Sequence, residues 1–204
     1  MLYERDGVYT IRVDGLELMS SRAHGSEDAL ARLAMAEVRA ARPNVLVGGL
    51  GMGFTLRAVL DVLPAAGGVV VAEILPEVVR WNQGPLAELA GSPLEDPRVE
   101  LIEGDVARVI GARPTAFDAI LLDVDNGPAA LTLTDNDRLY QRDGLELTRR
   151  SLRPKGMLAV WSAGPDPAFE RALRTAGFLV RVETVRARSI GKGPRHTLFF
   201  ARLR

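Results

Sequence analysis

The stretch Val45-Leu46-Val47-Gly48-Gly49-Leu50-Gly51-Met52-Gly53, continued by Phe54-Thr55-Leu56-Arg57-Ala58-Val59-Leu60, decides the fold. Its first three residues form a short apolar run of the kind that is buried on both faces of a sheet. Leu56, Val59, Leu60 and Leu63 then recur at helical spacing. A buried strand that passes through a glycine-rich turn into a helix is the opening unit of a doubly wound α/β sheet. Gly49, Gly51 and Gly53 let backbone come close to a ligand with no Cβ in the way, and the helix start aims N–H groups at it.

Downstream the alternation continues. Val69–Ala72 reads as a second buried strand ending at Glu73, and a helix carrying Val78, Val79 and Trp81 follows Pro76. Val99–Ile102 is a third strand, ending near Gly104-Asp105, and Phe117–Leu122 a fourth, ending at Asp123. Met157–Trp161 is a fifth, after Pro154-Lys155-Gly156, which reads as a helix-ending signal. Asp166-Pro167 opens a further helix that stops at Gly177, and Phe178–Val185 and Thr197–Leu203 form a closing strand pair. Upstream, Tyr9–Val13 and Leu16–Met19 flank Asp14-Gly15, a hairpin signal. Ser26 caps a helix through Ala29, Leu30, Leu33, Ala34 and Val38, closed by Pro43, with Glu27 and Asp28 at its positive end. The expectation is a doubly wound α/β domain over 26–204, preceded by a short hairpin arm over 1–25. Five β-α alternations are too few for an eight-fold barrel.

The 204 residues are 47% hydrophobic and 25% charged, enough to build one apolar core. Basic and acidic residues balance at 26 each, so overall charge gives no reason to expect nucleic acid or an anionic membrane as partner. With no cysteine and two histidines, thiolate chemistry is excluded and a metal centre is not expected. Charged residues within Met1–Asp6 argue against a secretory leader, and no apolar run is long enough to span a bilayer; a cytoplasmic protein is the expectation.

In such sheets ligands bind beyond the carboxyl ends of the strands. The residues standing there are the Gly48–Gly53 turn, Glu73, Asp105 and Asp123. Glu73, about 20 residues past the turn, can accept both hydroxyl protons of a ribose. Asp105 can accept from an adenine amino group, or it caps the helix through Val109. Asp123 can attract a cationic amine and take its proton, or it ends a turn before Asn126-Gly127-Pro128. NAD competes as the ligand, but Gly49-Leu50-Gly51-Met52-Gly53 lacks the final spaced glycine of the dinucleotide pattern. Met52, Phe54 and Trp81 either touch an adenosyl group or pack in the core. His24 and His196 are loop histidines or face the site. Arg186, Arg188, Lys192 and Arg195 surround the last hairpin and either hold an acidic group or are solvated.

These motifs resemble the spermidine synthase family and, more broadly, class I S-adenosylmethionine-dependent methyltransferases. The resemblance runs from about Asp14 onward. It rests on the Val45–Gly53 turn, Val71-Ala72-Glu73-Ile74-Leu75-Pro76-Glu77-Val78-Val79 and Asp96-Pro97-Arg98-Val99-Glu100-Leu101-Ile102-Glu103-Gly104-Asp105. Phe117–Asp123, Gly127-Pro128 and Leu152–Leu158 complete it, and the Asp-Pro-Arg-Val run is its most diagnostic part. It implies a seven-stranded, mostly parallel sheet with an antiparallel last strand. It also implies S-adenosylmethionine or its decarboxylated form as donor, held by Gly49, Gly51, Gly53, Glu73, Ile74, Gly104, Asp105 and Val106. Asp123 would be the catalytic carboxylate with Asp125 second. Candidates to face a small-molecule acceptor are Asn126, His24 and Tyr140; Tyr140 and nearby Asp137 read equally as helix surface or core edge. A homodimer is open.

The chain departs from the family pattern at Met52 and Asn126, where the family has acids, and in a shorter N-terminal arm. Arg22–Glu27 also lacks the family's tyrosine-containing substrate motif. These departures tilt the expectation toward methyl transfer to an amine-bearing nucleophile. A polyamine aminopropyltransferase using decarboxylated S-adenosylmethionine, or a non-catalytic adenosyl-nucleotide binder, are the alternatives.

Overall fold

The computed structural model describes residues 1–13, 15–124, 137–187 and 193–204. Three antiparallel strands come first: β1 (Leu2–Arg5), β2 (Val8–Val13) and β3 (Leu16–Ser20). The hairpin expected around Asp14-Gly15 is the β2–β3 pair; Asp14 itself lies outside the described residues. The sequence reading missed β1, whose charged, largely exposed residues give no alternation signal.

The remaining elements in chain order are α1 (Gly25–Met35), β4 (Asn44–Gly48), α2 (Phe54–Val62), β5 (Gly68–Glu73), α3 (Pro76–Asn82) and β6 (Val99–Glu103). Then come α4 (Val106–Ala112), β7 (Phe117–Leu122), α5 (Asp137–Tyr140), α6 (Arg142–Ser151), β8 (Leu152–Ser162), α7 (Pro167–Thr175), β9 (Leu179–Arg186) and β10 (Arg195–Arg202). β4 to β10 make one seven-stranded sheet in the order β6-β5-β4-β7-β8-β10-β9. The first five strands of that order are parallel, and β10 runs antiparallel to both β8 and β9. The order reverses between β4 and β7, which opens a crevice at their carboxyl ends.

Alternate residues of each central strand feed two cores, which is why these strands read as unbroken apolar runs. Val45, Val47, Ala119 and Leu121 face the cluster holding Leu30 and Ala34 of α1 and Leu56 and Val59 of α2. Leu46, Ile120 and Leu122 face the opposite cluster, with Ile110, Leu145, Leu173 and Phe199. A third cluster joins Ile11 of β2 to Met52, Phe54, Leu86 and Ala90, so the small sheet leans on the start of α2.

Two local readings are corrected. Ser26 does not cap α1: it lies inside the helix, the cap position is His24, and no side chain bonds to the helix end there. Pro154-Lys155-Gly156 does not end a helix but lies inside β8, where Lys155 takes φ 64 and the pairing with β7 slips register.

The Asp96-Pro97-Arg98 string has a structural task. The Arg98 guanidinium donates to the carbonyls of Leu60 and Leu63 at the end of α2 and to both oxygens of Asp96. Those bonds, led by the Arg98 side chain, hold the Asp96 carboxyl down at about 2. The orphan carbonyls of a helix end are thereby tied to the loop leading into β6.

Candidate functional site

A cavity of about 620 Å³ opens at the carboxyl ends of β4, β5, β6 and β7. Gly49, Gly51, Glu73, Ile74, Gly104, Asp105, Val106 and Asp123 all line it. Gly53 does not: at φ 82 it is the residue before α2, packed against Asn82 and Pro93.

Four strand ends build one wall of the cavity, with short bonds between neighbours. Gly49 takes φ 86, and a Cβ there would collide with the Asp123 carbonyl oxygen. Glu73, buried at the end of β5, accepts from Leu50 N–H through Oε2 (2.8 Å) and from Leu75 N–H through Oε1 (2.9 Å). It thus fastens the glycine turn to the next one, and each oxygen keeps a second lone pair for a ligand hydroxyl. Asn82 Nδ2 donates to the Gly51 carbonyl at 2.8 Å and holds the turn from beneath. Asp105 caps α4, its Oδ1 accepting from Ala107 N–H at 2.8 Å, and the residue also lines the cavity.

Asp123 sits on the floor. Thr55 Oγ1 donates to its Oδ2 at 2.5 Å, and Asp123 N–H donates to the Gly48 carbonyl. Desolvation by the surrounding protein pushes its carboxyl up to about 6, against the lowering effect of Thr55. Asp125 and Asn126 lie outside the described residues, as do Arg188 and Lys192.

Facing Asp123 is a residue the sequence reading left at a helix start. Glu27 is buried, and burial, reinforced by the Asp123 charge, pushes its carboxyl up to about 8. Ser26 Oγ bonds it at 2.5 Å and also reaches His196 Nδ1 (2.8 Å) and Trp161 Nε1 (3.1 Å). Glu27, Trp161 and His196 all line the cavity. A sequence signal for Glu27 existed: it shares the i, i+3, i+4, i+7 face of Leu30, Ala31 and Ala34, every one buried.

Other expected contacts fall elsewhere. His24 stacks on Phe54 with ring centroids 4.1 Å apart and pairs with Asp28 at 3.1 Å; it is not among the lining residues. Tyr140 packs edge-on against Phe169 in the second apolar cluster, on the far side of the sheet from Glu27 and Trp161. Met52 is fully buried in the third cluster and Phe54 packs beside it, whereas Trp81 does line the cavity.

Comparison with known proteins fits this geometry. A polyamine aminopropyltransferase of Pseudomonas aeruginosa is 32% identical over 143 residues, covering 65% of this chain and 39% of that protein. One from Korarchaeum cryptofilum is 30% identical over 123 residues, covering 59% of this chain and 36% of its own length. In structure, a spermidine synthase solved with the transition-state analogue AdoDATO superposes with a TM-score of 0.77 at 21% identity, over 95% of this chain and 66% of that one. The chain is similar in sequence to polyamine aminopropyltransferases and shares its fold with a spermidine synthase.

No family model matches it. The chain spans about two fifths of the length of the curated relatives it matches. The leaning toward methyl transfer, drawn from Met52 and Asn126, finds no support among these relatives, which are aminopropyltransferases by name. No helix among the described residues is long and apolar enough to cross a membrane.

Proposed function

We propose that this chain binds decarboxylated S-adenosylmethionine and transfers its aminopropyl group to a small amine. The observation that carries the reading is the convergence of Gly49, Gly51, Glu73, Asp105 and Asp123 on one cavity. The relatives' names supply the transferred group.

The residues fit such a donor. About 620 Å³ lies within the range of small-molecule sites. Glu73 has lone pairs left for ribose hydroxyls, Asp105 stands where an adenine amino group would lie, and Ile74, Val106 and Trp81 offer apolar contact beside them. Gly49 and Gly51 admit the ligand against bare backbone. When bound, a sulfonium donor supplies a carbon activated by its positive sulfur.

What the chain contributes is placement, charge and proton handling. Glu73 and the glycine turn fix the nucleoside, so the acceptor approaches from the side of Asp123 and Glu27. Asp123 attracts a cationic amine and accepts a proton from it, leaving the nitrogen lone pair free to attack. Its raised pKa makes it a better base than an ordinary carboxylate.

Calorimetry with decarboxylated S-adenosylmethionine, S-adenosylmethionine and methylthioadenosine tests the reading. The decarboxylated donor is expected to bind tightest; binding of NAD and none of the three would end it. With the donor identified, Asp123→Asn is expected to lose turnover while keeping donor affinity, and full activity in that variant would remove the role given to Asp123.

A further inference from the structure

Ser26 Oγ is a saturated junction between three elements. Its partners are Glu27 on α1, Trp161 on β8 and His196 on β10. A hydroxyl has one proton to donate and two lone pairs with which to accept. The indole N–H can only donate, so it takes one lone pair. One lone pair and one proton remain for Glu27 and His196. With Glu27 ionised, the hydroxyl donates to Oε2 and accepts the Nδ1–H of His196. With Glu27 protonated toward Ser26, the hydroxyl accepts from the carboxyl and donates to a bare Nδ1.

We propose that Glu27, Ser26 and His196 share one mobile proton, which decides whether Nε2 of His196 meets a ligand in the cavity as a donor or as an acceptor. Nδ1 is engaged by Ser26, so Nε2 is the ring nitrogen left for the cavity that His196 lines. Burial holds the imidazole pKa below its ordinary value, which keeps the ring neutral and makes the tautomer the variable. Around Glu27, the charges of Asp123 and Asp28 oppose ionisation and the Ser26 hydroxyl favours it. Thr55 bonds Asp123 and His24 bonds Asp28. A cationic ligand entering the cavity adds the opposite bias, toward ionised Glu27 and a bare Nε2.

The use of this proton rests on the aminopropyl reading above. With Glu27 ionised, the acceptor ammonium gives a proton to Nε2, Nδ1 passes its proton to Ser26, and Ser26 passes its own to Glu27. An N–H bond of the ammonium breaks, an O–H bond forms on Glu27, and the electron pair stays on the amine nitrogen. His196 and Ser26 end as neutral as they began. The relay is a second route for the one proton that Asp123 takes on the first, and a single proton leaves the amine by either route.

The test is a pH titration of the ligand-free protein followed by ¹⁵N NMR of its histidine rings. There are two histidines, and His196→Gln assigns the second set of signals. His196 is expected to carry its proton on Nε2 at neutral pH and on Nδ1 once pH passes through about 8, as Glu27 ionises, with the ring neutral throughout. Ser26→Thr keeps the hydroxyl and should keep the exchange; Ser26→Ala should abolish it. A wild-type ring whose tautomer ignores that pH range, or an exchange that survives in Ser26→Ala, would overturn the proposal. The wild-type titration decides even if the alanine variant does not fold. Because it needs no donor, it can succeed while the calorimetry fails, or the reverse.

Discussion

The wall of the cavity formed by Gly49, Gly51 and Glu73 is held by bonds between backbone groups and one carboxylate on adjacent strand ends. The wall formed by Glu27, Trp161 and His196 is held by a single serine hydroxyl joining residues 135 and 170 positions apart. At Gly49 the first wall has no room for a Cβ, and its one charge, on Glu73, is held in two bonds. The second leaves its ionisable groups free to exchange protons. One wall is therefore suited to gripping a constant part of a ligand, the other to chemistry on a variable part.

Four substitutions sharpen that contrast. On the floor between the walls, Asp123→Asn should lower kcat by about 10²–10⁴-fold with donor affinity kept within about threefold. A parallel loss of affinity in calorimetry would mean that Asp123 belongs to the gripping wall. Gly49→Ala should cost about 2–4 kcal/mol in urea denaturation, because it combines a left-handed φ with a backbone collision. A variant as stable as wild type would show that the turn can yield.

Glu27→Gln should act through pH. Glu27 binds its proton more tightly folded than unfolded, so its ionisation opposes folding progressively as pH rises from its ordinary value of 4.5 to about 8. Below that window the group is neutral in both states. The variant should therefore match wild type near pH 4 and exceed it at pH 8 by on the order of 3 kcal/mol. Thermal melts at the two ends check the sign, and an equal difference at both would remove the cause. Asp105→Ala should have the smallest effect, about 1 kcal/mol for the lost cap, visible as a modest fall in melting temperature. A far larger loss of stability would give Asp105 a structural weight that its one capping bond does not explain.

The first wall was legible in the sequence because its signals are local. An apolar run, a cluster of glycines and an acid at the end of the next strand each follow from a few neighbouring residues. The seven strands of the main sheet emerged the same way, with boundaries moved by a residue or a few. Of the second wall only the helical face that Glu27 shares with Leu30, Ala31 and Ala34 was legible, because the rest of its signal is tertiary. Ser26 and Glu27 have the residue types of a helix cap and a first-turn acid, and only the packing of α1 against β8 and β10 turns them inward. His196 gave no sign beyond its place at the start of a strand, although it alternates with Leu198 and Phe200 on one face. For Tyr140 the sequence left an acceptor-pocket, a helix-surface and a core-edge reading open, and the structure packs it against Phe169 in the second apolar cluster.

The Arg98 clasp gives the family likeness a particular meaning. The Asp96-Pro97-Arg98 string, on which the sequence resemblance partly rests, joins the end of α2 to the approach of β6, and neither Asp96 nor Arg98 lines the cavity. A survey of genomes keyed to Asp-Pro-Arg would gather proteins that share a buckle. Likeness in that string is likeness of framework, and it stops short of the cavity.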